Sequence, residues 1–222
     1  MRFDAVIFDF DGTVADTSEG ILESIGYAMQ RLGRKPLPAA QARRFIGPPL
    51  LHSFQNIGGL DAQEAAQAVE QYRVHYEQEG GMFKLRFYDG LLSLTRLLKE
   101  NGVRTGIASA KPDVFVHAIL RHFNAERCFD CAQGISLEEC CTDKSDVIRS
   151  VIRKLDVHDP ARVLMVGDTL YDVQGAQSVG AVAAAVLYGF GDADALRQSG
   201  AVCFTDIPSL QAFLFAAEQN HV

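Results

Sequence analysis

From Gly90 onward, short apolar runs alternate with stretches of helical period, and this alternation constrains the fold more than any other feature of the chain. Strands are expected at 103–109, 129–133, 162–167 and 181–187, of which Val163 to Val166 is wholly apolar. Between them, Leu91, Leu94, Leu97 and Leu98 mark one helical face, and Val147, Ile148, Val151, Ile152 and Leu155 mark another. Pro112 is expected to open a further helix, where its missing N–H costs nothing. A C-terminal helix is expected over 208–218. Strands and helices alternating at this spacing predict a Rossmann-like α/β core, a parallel sheet with helices on both faces.

One more apolar run, Ala5-Val6-Ile7-Phe8, stands apart at the start. It stops at Asp9-Phe10-Asp11-Gly12-Thr13, a segment rich in polar and turn residues. From Asp16 the period becomes helical, with Ile21, Ile25, Met29 and Leu32 on one face. Asp16, with Glu19 three residues on, is expected to cap that helix. A short helix is expected to lead to Phe45-Ile46-Gly47-Pro48-Pro49, which must turn because proline cannot sit inside a helix. Another helix is expected over 61–79, ended by Gly80-Gly81. No strand pattern occurs between 16 and 85. The expected organisation is therefore a core of 1–15 and 86–222, carrying 16–85 as an inserted helical cap.

Bulk properties narrow the function. The 222 residues are 48% hydrophobic and 22% charged, as in a soluble globular protein. A net charge of −7 provides no general field for a nucleic-acid polymer or an anionic membrane. No leader or membrane span is expected, which makes the cytoplasm the default location. Five cysteines do not suggest a disulfide framework. Cys128, Cys131, Cys140 and Cys141 have the wrong spacing for a zinc ribbon, and reduced thiols are expected. Cys140 and Cys141 lie close enough to Lys144 in sequence for oxidation to affect it. Gly189-Phe190-Gly191 lacks the third glycine of a dinucleotide fingerprint. The histidines show no ligand spacing.

In open parallel sheets, ligands bind beyond the carboxyl ends of the strands. Asp9 and Asp11 follow the first strand, Ser109 ends the second, and Asp168 and Asp172 follow the strand at 162–167. Lys144 opens an intervening helix; Lys111, close after Ser109, competes for the phosphate role, but the helical frame after Thr142 suits Lys144 better. Converging carboxylates repel one another unless a cation offsets them. Hard oxygen donors suit magnesium, which would also neutralise charge on a transferring phosphoryl group. The bland alternatives are that Asp168 and Ser109 merely cap helices and that Asp172 is a solvated carboxylate.

The segments Asp9-Phe10-Asp11-Gly12-Thr13-Val14, Ser109, Lys144 and Gly167-Asp168-Thr169-Leu170-Tyr171-Asp172 resemble the four ordered motifs of the haloacid dehalogenase superfamily. The helical insertion, Arg44 to Leu50 and Leu187 to Gly191 are similar to its phosphoglycolate phosphatase-like and 5′-nucleotidase-like members. Ser145 departs from the proline common after the motif lysine. The resemblance implies that Asp9 is a nucleophile forming an aspartyl-phosphate, and that Asp11 protonates the leaving oxygen and then activates water. It implies a Mg2+ held by Asp9, the Asp11 backbone carbonyl and Asp168, with Asp172 supporting the metal waters or Lys144. Ser109 and Lys144 would bind phosphate, and Thr13, Ala110 and Arg44 are further candidate substrate contacts. The implied activity is hydrolysis of a small phosphorylated metabolite by a monomer or homodimer. A phosphomutase on the same scaffold is the alternative. Asp11 argues against a carbon–halogen hydrolase, which lacks this second carboxylate. The intact set of Asp9, Asp11, Lys144 and Asp168 argues against a binding protein without activity.

Overall fold

The computed structural model describes residues 2–136 and 143–216. Cys140, Cys141, His221 and the end of the helix expected to reach 218 lie outside the described residues. The chain forms two compact units, Met1–Ala15 with Phe87–Val222, and Asp16–Arg86.

The first unit opens with β1 (Ala5–Phe8), and the chain leaves it through the two-residue strand β2 (Ala15–Asp16). The second unit contains α1 (Ser18–Arg31), α2 (Ala39–Arg43), α3 (Leu50–Asn56) and α4 (Ala62–Arg73). A wider π-helical turn, Val74–Gln78, follows α4, so the helix expected over 61–79 changes its winding near its end. Asp16 does not cap α1. Thr17 occupies the cap, and Asp16 Oδ1 accepts hydrogen bonds from the Ser18 N–H and hydroxyl. The chain returns through β3 (Arg86–Phe87), which forms a two-stranded sheet with β2.

The first unit continues with α5 (Leu91–Glu100), β4 (Arg104–Pro112), α6 (Asp113–His122) and β5 (Cys131–Ile135). Then come α7 (Lys144–Lys154), β6 (Val163–Gly167), α8 (Leu170–Val179) and β7 (Val182–Val186). The last elements are α9 (Ala193–Gln198), β8 (Val202–Phe204) and α10 (Ile207–Phe215). The strands form one six-stranded sheet in the order β5-β4-β1-β6-β7-β8, every pairing parallel. The first strand in sequence lies inside the sheet, which explains its unbroken apolar character. Its side chains alternate between faces. Ala5 and Ile7 join Val147, Val151, Met165 and Val173 in one cluster built on α7 and α8. Val6 and Phe8 point the opposite way and are equally buried.

Sequence pattern missed α3, α9 and the edge strand β8, all of them short. It also ended β4 early. Between Ala108 and Pro112 the β4–β5 register shifts, and the strand resumes at Pro112, which ends β4 and precedes α6.

Candidate active site

The register of the sheet accounts for which residues meet. Phe8 pairs with Ile107 on one side and Val166 on the other. The Asp9 N–H donates to Val166 O at 2.8 Å, so Asp9 is still anchored to the sheet one residue past β1. Ser109 on β4 and Asp168 after β6 follow at the same edge. Ser109 falls within the β4 irregularity, where the extra residues leave the ladder.

Among the described residues, Asp9, Asp168 and Asp172 form a buried carboxylate cluster whose oxygens lie within 4.8 Å of one another. Lys144, the first residue of α7, lies between two of them. Its Nζ is 2.5 Å from Asp9 Oδ1 and 2.7 Å from Asp172 Oδ1. The Asp143 side chain caps α7 by accepting the Ser145 N–H, which fixes where the lysine leaves the helix. A cation at a helix N-terminus opposes the helix dipole, and the two carboxylates offset that mismatch.

The electrostatics follow from burial. Burial pushes the Asp9 carboxyl up to about 7; Lys144 works against this shift, and Asp172 and Asp11 reinforce it. Asp168 is raised well above the ordinary range, first by burial and then by Asp9 and Asp172. Burial alone would lower the Lys144 pKa, but Asp172 and Asp9 outweigh it and hold the ammonium charged. One ammonium thus serves two of three buried carboxylates.

Asp168 is fully buried and acts through its oxygens in a tight nest. Thr13 Oγ1 donates to Oδ1 at 3.3 Å, and the Phe190 N–H donates to Oδ2 at 2.6 Å. A methyl group at Gly12 or Gly189 would overlap this carboxylate, so the glycines of Asp11-Gly12-Thr13 and Gly189-Phe190-Gly191 are clearance for Asp168. Asp168 does not cap α8. Thr169 takes the cap, with Asp172 Oδ2 accepting its N–H at 3.0 Å and its hydroxyl at 2.7 Å. Asp172 is likewise buried, contrary to a solvated reading.

Asp11 is not one of these three carboxylates, although its charge adds to the Asp9 shift; its carboxylate pairs with Lys111 Nζ at 3.1 Å. Lys111 therefore lies against Asp11 while Lys144 lies against Asp9. Ser109 is buried and does not cap α6. Its Oγ accepts the Lys111 N–H at 3.2 Å, which leaves the hydroxyl proton to donate elsewhere. Ala110 beside it is exposed. Thr13, expected as a substrate contact, has no exposed surface, and its hydroxyl donates to Asp168. Arg44 lies in the second unit, exposed at the C-terminal end of α2.

The donor set fits a hard divalent cation. It is three buried carboxylates with the Lys144 ammonium among them, all oxygen donors, and Gly12 and Gly189 leave room for Asp168. Residues that sequence reasoning missed are Tyr188, whose hydroxyl donates to Thr13 O at 3.0 Å, and the Phe190 N–H. Similarity of 187–191 to related phosphatases was their only signal.

Comparison with known proteins places the chain in a family. Residues 6–186 match the family model described as haloacid dehalogenase-like hydrolase. A 5′-nucleotidase from Pseudomonas aeruginosa is 37% identical over 199 residues, covering 89% of this chain and 88% of that protein. The structure of protein tyrosine kinase A from Mycobacterium tuberculosis has a TM-score of 0.82 at 30% identity, covering 96% of this chain and 98% of that one. A haloacid dehalogenase-like hydrolase from Streptococcus pneumoniae gives 0.85 at 27% identity, covering 96% and 99%.

Proposed function

The chain belongs to the haloacid dehalogenase-like hydrolases and is a phosphatase, and on that premise we propose that it is magnesium-dependent and hydrolyses a small phosphorylated metabolite through an aspartyl-phosphate on Asp9. The observation that carries this reading is the Lys144 ammonium held against Asp9 within a nest of three buried carboxylates.

In the first step an Asp9 carboxylate oxygen bonds to phosphorus while the ester P–O bond breaks. Asp11 gives its proton to the departing oxygen. In the second step Asp11, now ionised, takes a proton from water. The water oxygen bonds to phosphorus, the bond to Asp9 breaks, and inorganic phosphate leaves. Lys144 orients Asp9 and neutralises a phosphoryl oxygen, and the Ser109 hydroxyl donates to another. Asp9, the Asp11 carbonyl and Asp168 would hold a Mg2+ whose charge offsets that of the phosphoryl group. Asp172 keeps Lys144 in place. Ala110 and Arg44 remain candidate substrate contacts.

The substrate class is a phosphoglycolate, a nucleotide or a sugar phosphate, and the 5′-nucleotidase relative favours testing nucleoside monophosphates first. A panel of these compounds with Mg2+, ranked by kcat/KM, identifies the substrate. Glucose 1-phosphate with a trace of bisphosphate separates hydrolysis from a mutase reaction. Asp9→Asn is expected to abolish hydrolysis of p-nitrophenyl phosphate, and full turnover in that variant would remove Asp9 as nucleophile. EDTA is expected to stop turnover and added Mg2+ to restore it.

A further inference from the structure

The loop after β7 reaches the site at two points. The Phe190 N–H holds one oxygen of Asp168, and two residues earlier the Tyr188 hydroxyl donates to Thr13 O at 3.0 Å. Thr13 in turn donates its own hydroxyl to the other Asp168 oxygen. The Tyr188 ring packs on Tyr88 with centroids 4.5 Å apart, and the Tyr88 N–H donates to Val14 O at 3.1 Å. Successive carbonyls of the Thr13-Val14 turn are thus held by a matched pair of tyrosines. All of these residues lie in the first unit. Burial, then Tyr88 and Asp168, raise the Tyr188 pKa, so the hydroxyl stays a donor.

We infer that the 187–191 loop is a strap that aims Asp168, with the Tyr188 hydroxyl as its latch on the Thr13 turn, so that Tyr188 is a positioning residue for the metal centre. The inference rests on the reading that Asp168 holds Mg2+. Tyr188 acts through the Thr13 backbone, and Thr13 donates to the carboxylate. Groups that orient metal ligands set metal affinity because an ill-aimed ligand must be reordered when the ion binds.

Isothermal titration of the full chain with MgCl2 tests the inference without relying on turnover. Tyr188→Phe keeps the ring and deletes only the donor, and is expected to weaken the Mg2+ Kd about fivefold, the worth of one neutral hydrogen bond. Its Tm in EDTA is expected to stay within about 3 °C of the wild type. A lowered Tm with an unchanged Kd would make the residue merely structural and overturn the inference. Gly189→Ala pushes directly on Asp168 and is expected to weaken the Kd further. If Tyr188→Phe does not fold, an unchanged Kd in Gly189→Ala overturns the strap. A wild-type chain that takes up no Mg2+ overturns the metal reading and the strap together, whereas wild-type uptake with equal affinity in Tyr188→Phe overturns the strap alone.

Discussion

Burial beside two further carboxylates raises the Asp9 carboxyl of the metal-free fold to about 7 against the opposing Lys144, whereas the ordinary carboxyl value is 3.8. Between these two values the native state binds more protons than the unfolded chain, so stability falls as pH rises through that window. In EDTA, where no divalent cation offsets the charge, Asp9→Asn removes this loss. Urea denaturation at steps from about pH 4 to about pH 7 is expected to show the variant gaining stability on the wild type as pH rises. A constant gap would mean that burial does not strain Asp9. Asp9, Ser109 and Asp168 were legible as candidate site residues because they are chemically apt side chains at the ends of expected strands. Tyr188 and the Phe190 N–H were not. A backbone donor has no residue signature, and a tyrosine in a Gly-rich loop reads as a turn. Thr13 was legible as part of the site, yet only the structure shows its hydroxyl facing Asp168.

At the scale of elements, α8 shows how a helix end can serve structure and site together. One Asp172 oxygen closes the cap on Thr169 and the other holds Lys144, so the first turn of α8 and the start of α7 share a carboxylate. Thr169→Ala deletes the hydroxyl half of that cap. It is expected to cost about 1 kcal/mol, a fall in Tm of about 3 °C in a chain of this size. Thr169→Ser, which restores the donor, is expected to recover most of it. Differential scanning fluorimetry in EDTA checks both, and a neutral Thr169→Ala would mean that the backbone N–H alone holds Asp172. The same region shows what periodicity can and cannot resolve. The buried stripe Val147, Ile148, Val151, Ile152 made α7 legible, and the all-apolar β6 was equally plain. The six residues of α9 and the three of β8 are too short to establish a period. The irregularity in β4 was hidden because a register shift belongs to the pairing with β5 and leaves no mark in the strand's own sequence.

For the molecule as a whole, the parallel sheet was legible because apolar strands such as β1, β6 and β7 stand between amphipathic helices. Its strand order, which brings the first strand between β4 and β6, depends on long-range pairing that no local pattern encodes. That order gathers every member of the carboxylate cluster, with Lys144, into Met1–Ala15 and Phe87–Val222, although the cluster is drawn from both ends of the sequence. An ion that binds the folded cluster and not the unfolded chain stabilises the folded state by mass action. At Mg2+ near one hundred times its Kd the gain is about 2.7 kcal/mol, which raises Tm by roughly 5–10 °C for a unit of this size. Because the ligands all belong to one unit, calorimetry that resolves two transitions is expected to show Mg2+ moving only one of them. Limited proteolysis with mass spectrometry then assigns the moved transition. Protection gained within Asp16–Arg86 alone would place the ion outside the aspartate cluster, whereas protection gained by the sheet-bearing segments agrees with an ion held by Asp9 and Asp168.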